Sequence, residues 1–342
     1  MNSALVEVSR GNRTESVHAG VIAISDAKGE LVASIGDISQ LVYPRSAVKA
    51  LQALPLIESG AAEALGFDDA ELALACASHN GEEVHVKSAR VMLMKAGLEE
   101  GDLECGPQWP GRMADVAKLH QSYSKPCPLH NNCSGKHAGF LGLAKTLGVQ
   151  TKGYIDVEHP VQATIRDVLS ELTGHPHLAS DHGIDGCSIP TYPVPLDKLA
   201  KAFAVFGTGE GLAQDRRDAC DTLYEACVNE PFMVAGSERF CTDIMQAMEG
   251  RVFVKTGAEG VFCGTVPELG LGISLKCQDG TTRGAEAMMA AVIETLLELE
   301  DEQAIVVGGY SNRPITSRRD AIVGYVRASK ELRDALGTAF RR

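Results

Sequence analysis

Ser46 and Lys49 stand three residues apart at a point where the chain changes character. Upstream, strand-like alternation ends at Tyr43-Pro44-Arg45, and from Ala47 a helical apolar pattern begins. Ser46 therefore falls at or just before a helix N-terminus, where a small hydroxyl residue is favoured as a cap. In a helix that spacing puts both side chains on one face, close enough for an amine to take a proton from the hydroxyl. This is the chemistry of serine acyl transfer, in which the freed oxygen attacks a carbonyl and a covalent intermediate follows. Only two of the four positions are fixed, and a capping serine followed by a surface lysine satisfies the pattern equally. A second match, Ser122 to Lys125, lacks the geometry, because Pro126 pushes Lys125 out of the helical region.

Two further stretches give the pair its weight. Cys76-Ala-Ser78-His79-Asn80-Gly81 reproduces the outer positions of a Ser-Asp-Asn motif, with His79 in place of the aspartate, although Ser-x-Asn-Gly is also plain turn chemistry. Val252-Phe-Val-Lys255-Thr-Gly257 ends a strand with Lys-Thr-Gly. The three motifs occur in the order used by penicillin-recognising serine enzymes: the first on a helix start, the second in a helical region, the third on a late strand.

A separate segment, Cys127-Pro-Leu-His130-Asn-Asn-Cys133-Ser-Gly-Lys136-His137, is dense in soft and basic donors, and Asp185-Gly-Cys187 offers another cysteine inside a turn. Thiolates with nitrogen ligands suit zinc. The spacing is not that of a zinc finger, so buried thiols at a glycine-rich helix entry, or an anion-binding helix N-terminus, account for it as well.

The elements that must position these residues can be outlined. Ala4 to Ser9, Val17 to Ser25 and Glu30 to Ile35 form an N-terminal meander, with a turn at Asp26-Ala-Lys-Gly29. Spacings near 3.6 run through Glu82–Gly97, Ser134–Gly148, Pro160–Thr173, Leu196–Phe206, Gln214–Val228 and Arg239–Met248. Strands return at Arg251–Lys255, Gly260–Thr265 and Gly270–Cys277, before a helix over Arg283–Leu299. After Asp301 a late strand and a final helix are expected. The fold class is thus α+β: an antiparallel sheet built from N- and C-terminal strands, flanked by helices, around a mostly helical middle. With no internal repeat or long linker, 1–342 reads as a single domain, its helical subregion spanning roughly 56–250.

Composition narrows the function. A charge of −13, from 45 acids against 32 bases, argues against a general nucleic-acid surface. No secretory leader is visible, and the longest late apolar run, Ala285–Leu297, is too short and too charged to span a bilayer. A cytoplasmic address follows, without membrane partners, and the ten cysteines are expected reduced. Cys220 and Cys227, seven apart on one helix face, read as core.

Through Pro44-Arg45-Ser46-Ala-Val-Lys49, Cys-Ala-Ser78-His-Asn-Gly, His130-Asn-Asn-Cys133-Ser-Gly-Lys136-His137-Ala-Gly, Asp185-Gly-Cys187-Ser-Ile-Pro190 and Lys255-Thr-Gly-Ala-Glu-Gly260, the chain resembles the rhizobial-type, or class 3, L-asparaginases over nearly its whole length. The resemblance implies a fold related to serine β-lactamases and glutaminases, a homodimer, and hydrolysis of L-asparagine to L-aspartate and ammonia. It also implies two Ser-Lys tandems, Ser46 with Lys49 and Ser78 with Lys255, and zinc held by Cys133, Lys136 and Cys187. Arg45, His137 and Asp185 match substrate-contacting positions, with Arg45 suited to an α-carboxylate and Asp185 to an α-ammonium. A glutaminase, a β-lactamase-like serine hydrolase, and a non-catalytic zinc-dependent amino-acid binding protein are the alternatives.

Overall fold

The computed structural model describes residues 3–122 and 124–340. Tyr123, inside the Ser122–Lys125 match, and the terminal Arg341 and Arg342 of the expected last helix lie outside the described residues. The chain divides into two compact units.

The first holds the residues up to Ala47, Val194–Val205 and those from Asp243 onward. The strands of its main sheet are β1 (Ala4–Arg10), β2 (Arg13–Ser25), β3 (Leu31–Ile35), β4 (Phe253–Thr256), β5 (Val261–Val266), β6 (Leu271–Cys277), β7 (Asn312–Thr316) and β8 (Ile322–Ala328). They form one antiparallel sheet in the order β7-β8-β1-β2-β6-β5-β4, with β3 also on β2. The termini therefore do build the sheet together. Strand β2 changes along its length: its first five residues are exposed, whereas Val21 to Ser25 are all buried. Burial of both faces explains why Gly-Val-Ile-Ala-Ile-Ser shows a continuous apolar run rather than alternation. Helix Thr282–Leu296, apolar nearly all round, supplies one cover. On β6, the buried Ser274 hydroxyl donates to the Leu196 carbonyl at 2.6 Å, tying the start of helix Leu196–Thr208 to the sheet.

The C-terminal segment is richer than one late strand and one helix. Helix Asp301–Ser311 precedes the β7-β8 hairpin, and helix Lys330–Ala339 follows it. Gly308-Gly309 suggests a break, yet the helix runs through both. Two glycines cost a helix about 1 kcal/mol each relative to alanine. Buried Val307 and Ser311 offset this, the latter through a 2.6 Å bond to Glu294.

The second unit, Val48–Pro193 with Phe206–Thr242, is mostly helical. At its centre lies helix Lys49–Glu58, buried from Lys49 through Leu56. Helix Ser134–Thr146 is buried from Ser134 through Ala144. Its Gly135 is there because nothing larger fits: a Cβ at this position would lie 2.3 Å from the Leu74 carbonyl oxygen and 2.4 Å from Leu74 Cγ. Backbone cannot yield as a flexible side chain can. Gly135→Ala is therefore expected to destabilise the protein by about 3 kcal/mol; an unshifted urea midpoint would contradict this close packing. Four helices here escape the 3.6-residue pattern, the one-turn Ala61–Leu65 and Pro231–Ala235 among them. Met113–Gln121 is short, and Asp69–Ala75 is announced only by its Asp68/Glu71 capping box.

Among the described residues, no helix is long and apolar enough to cross a membrane.

Candidate active site

In the first unit, Pro44 leads into a 3-10 turn over Arg45–Val48 that passes directly into helix Lys49–Glu58. Ser46 sits inside this turn rather than capping the helix; Val48 takes the N-cap position, and no side chain caps there. The capping role is thus corrected: the tighter turn draws the helical start back past Ser46. Arg45 has φ +52°, left-handed for a residue with a Cβ, a conformation that costs on the order of 1–3 kcal/mol. Lys255 lies on β4, is fully buried, and donates to the Thr256 carbonyl at 3.0 Å. The end of its strand abuts the Ser46 segment, since a Cβ on Gly257 would stand 2.6 Å from the Pro44 carbonyl oxygen. Glycine in the Lys-Thr-Gly sequence is what permits that approach.

In the second unit, Lys49 is 1% exposed. Its Nζ faces the Ala77 carbonyl, Ser78 Oγ at 3.0 Å and the Asn132 carbonyl at 3.4 Å. The Ser78 loop is anchored on both sides. Ser78 N–H donates to Val234 O at 2.9 Å. Asn80 receives Arg239 Nη1 at 2.9 Å and donates to Ser237 O at 2.9 Å. Glu82 accepts from the Ser237 amide and hydroxyl and from Arg112. Burial works against the charge on Glu82, but the Ser237 hydrogen bonds outweigh it and keep the carboxyl below its ordinary range.

His79, which replaces the aspartate of the motif, ties this loop to the next cluster. Its Nδ1 accepts the Gly81 N–H at 3.0 Å, so Nε2 carries the proton and donates to Ser134 Oγ at 3.0 Å. Burial, then the charges of His85 and Lys49, hold its pKa well down, and the ring is neutral. It stacks on His85 with centroids 4.8 Å apart.

Helix Ser134–Thr146 begins one residue after Cys133 and carries Lys136 and His137. Lys136 Nζ lies 3.1 Å from Cys187 Sγ, and all three of Cys133, Lys136 and Cys187 are buried. A hydrogen bond from Cys187 draws the Cys133 thiol down, and the same shared proton pushes Cys187 up. Burial opposes the charge on Lys136, but the two sulfurs more than offset it and raise its pKa. The Asp185 carboxylate acts on both Lys136 and Cys187, and its turn is closed by Ser188 N–H on Asp185 O at 2.8 Å. His137 is fully buried; Nδ1 pairs with the Tyr154 hydroxyl at 2.6 Å, while Nε2 has no hydrogen-bond partner among the described residues.

Two buried sulfurs sharing one proton, beside an amine, form a donor set that fits zinc. Elsewhere in the first unit, His18, Cys277 and Asp279 also converge as a group able to hold a metal ion. Sequence spacing missed that group, just as it missed Arg239, Glu82 and Tyr154, because each partner lies far along the chain.

A family model described as L-asparaginase II matches residues 6–328. The chain therefore belongs to the L-asparaginase II family, a family of amidohydrolases. Comparison with curated proteins gave no match. Among solved structures, the chain is similar to native Mglu in 4.3 M NaCl, at 14% identity and TM-score 0.44, over 88% of this chain and 66% of that one. It is also similar to a β-lactamase from Mycobacterium bovis, at 14% identity and TM-score 0.40, over 85% of this chain and 94% of that one. The chain spans just under two thirds of the first of these.

Proposed function

We propose that the protein is an L-asparaginase working through a serine acyl-enzyme. The observation that carries this is the buried 3.0 Å contact between Lys49 and Ser78, in a chain of the L-asparaginase II family whose Ser46 precedes Lys49 by one helical turn. Ser46 Oγ attacks the side-chain amide carbon of asparagine and gives its proton to Lys49. Ser78, in contact with Lys49, relays that proton to the departing nitrogen, so the C–N bond breaks and ammonia leaves. Water then attacks the acyl carbon, the ester bond to Ser46 breaks, and aspartate departs with Ser46 reprotonated. Lys255, buried on β4, is the second lysine assigned to the reaction. A lysine acts as base only while neutral, because only then does its nitrogen carry a lone pair. Arg45 takes the substrate α-carboxylate and Asp185 its α-ammonium, contacts a simple ester lacks.

Cys133, Lys136 and Cys187 would hold zinc, which when bound supplies positive charge that orients and polarises a substrate. Lys136 can donate its lone pair only after losing a proton, so metal loading weakens as pH falls.

Ammonia release from L-asparagine, compared with L-glutamine and a chromogenic β-lactam, tests the assignment. Preferred turnover of either of the other two would replace it, and no turnover with zinc supplied would leave an amino-acid binding protein. Separately, Cys187→Ala is expected to lose the zinc bound at its cluster, read as about one equivalent less by elemental analysis; undiminished zinc would remove Cys187 from the ligand set.

A further inference from the structure

We propose that His18, Cys277 and Asp279 form a second metal site, taking a divalent cation of zinc's borderline softness. The site shares no residue with the Cys133 cluster and does not depend on the asparaginase assignment. His18 lies on β2, Cys277 ends β6, and Asp279 stands in the turn before helix Thr282–Leu296. One imidazole nitrogen, one sulfur and one carboxylate oxygen lie within 4.8 Å of one another. Such a mixed set is what zinc selects, and alkaline-earth ions do not.

The two strand residues are fixed in place. His18 is 3% exposed and Cys277 fully buried. Helix Thr282–Leu296 presses against both: a Cβ on Gly284 would meet Cys277 Sγ at 2.7 Å and His18 Cγ at 3.0 Å. The Asp279 side chain, by contrast, is 43% exposed, which gives an entry path and leaves the remaining coordination positions to water. Asp279 now gathers the donors: His18 Nδ1 at 2.5 Å, Cys277 Sγ at 3.1 Å and the Thr281 hydroxyl at 2.8 Å. Burial works against its charge, but these hydrogen bonds outweigh it and hold the carboxyl far below its usual range.

A cation replaces the protons that now link the three ligands. Binding releases the Cys277 thiol proton to solvent and moves the imidazole proton of His18 from Nδ1 to Nε2, so charge and atoms balance. Arg283 resists this exchange. Its Nε donates to His18 Nε2 at 3.0 Å, which fixes the tautomer with the proton on Nδ1. The exposed Arg283 must swing away before Nδ1 can bind metal, so it acts as a brake on affinity.

The test is a cobalt(II) titration of the full chain carrying Cys133→Ala and Cys187→Ala, with the fold verified by circular dichroism. One equivalent showing thiolate-to-cobalt charge transfer is expected, abolished by Cys277→Ser and tightened roughly tenfold or more by Arg283→Ala. Absence of the charge-transfer band, its survival in Cys277→Ser, or no gain with Arg283→Ala would overturn the site. Should the double variant fail to fold, zinc content decides: Cys277→Ser in the otherwise unaltered chain is expected to hold one equivalent less than its parent, and equal content rejects the site.

Discussion

Ser46→Ala is expected to release ammonia from L-asparagine at least about a thousandfold more slowly than the parent, with its urea midpoint unchanged. The second half of that expectation comes from the structure. A serine capping a helix contributes about 1 kcal/mol, and its loss would confuse stability with chemistry. Ser46 does not cap; it lies within the 3-10 turn, half-buried, and Val48 occupies the cap position. Removing its hydroxyl therefore takes away a nucleophile and little else. The strained backbone at Arg45, φ +52°, stands immediately before it, as backbone held against its preference often does at reacting positions. Retention of more than about a tenth of the parent rate would take the nucleophile role from Ser46. Ser78, the other hydroxyl beside Lys49, would be next in line.

How far the sequence carries such a prediction differs between the sheet and the site. The buried β2 run, the β4 to β6 strands and the long helices show in the sequence because apolar period is a local property repeated over many residues. Helix Asp69–Ala75 covers too few turns to show a period, and its capping box was the one signal available. Helix Asp301–Ser311 was obscured by Gly308-Gly309, whose cost is offset by packing that only the fold supplies. Of the proposed site, Ser46, Lys49, Ser78 and Lys255 stand in fixed short motifs that one chain displays. The groups that hold them were not: Arg239 reaches Asn80 across 159 positions, and His79 reaches Ser134 across 55. Pairings of that kind leave no spacing to read in one chain.

Lys49→Met is expected to lower turnover by at least about a thousandfold, near the upper range of what one positioned acid-base group contributes. Methionine keeps much of the volume of a side chain that is 1% exposed, so the core around helix Lys49–Glu58 stays filled. It leaves the Ala77 and Asn132 carbonyls and the Ser78 hydroxyl without the amine they share, a loss of about 1–3 kcal/mol that the urea midpoint should register. Rate and stability therefore need separate readings. Lys49→Arg separates base from charge. A guanidinium keeps the positive charge near Ser78 but has no lone pair to accept a proton, so it holds the field and removes the base. If Lys49 takes the Ser46 proton, Lys49→Arg is as slow as Lys49→Met. If Lys49 serves only as a buried cation, Lys49→Arg recovers well above a tenth of the parent rate while Lys49→Met does not, and the base must be sought at Lys255.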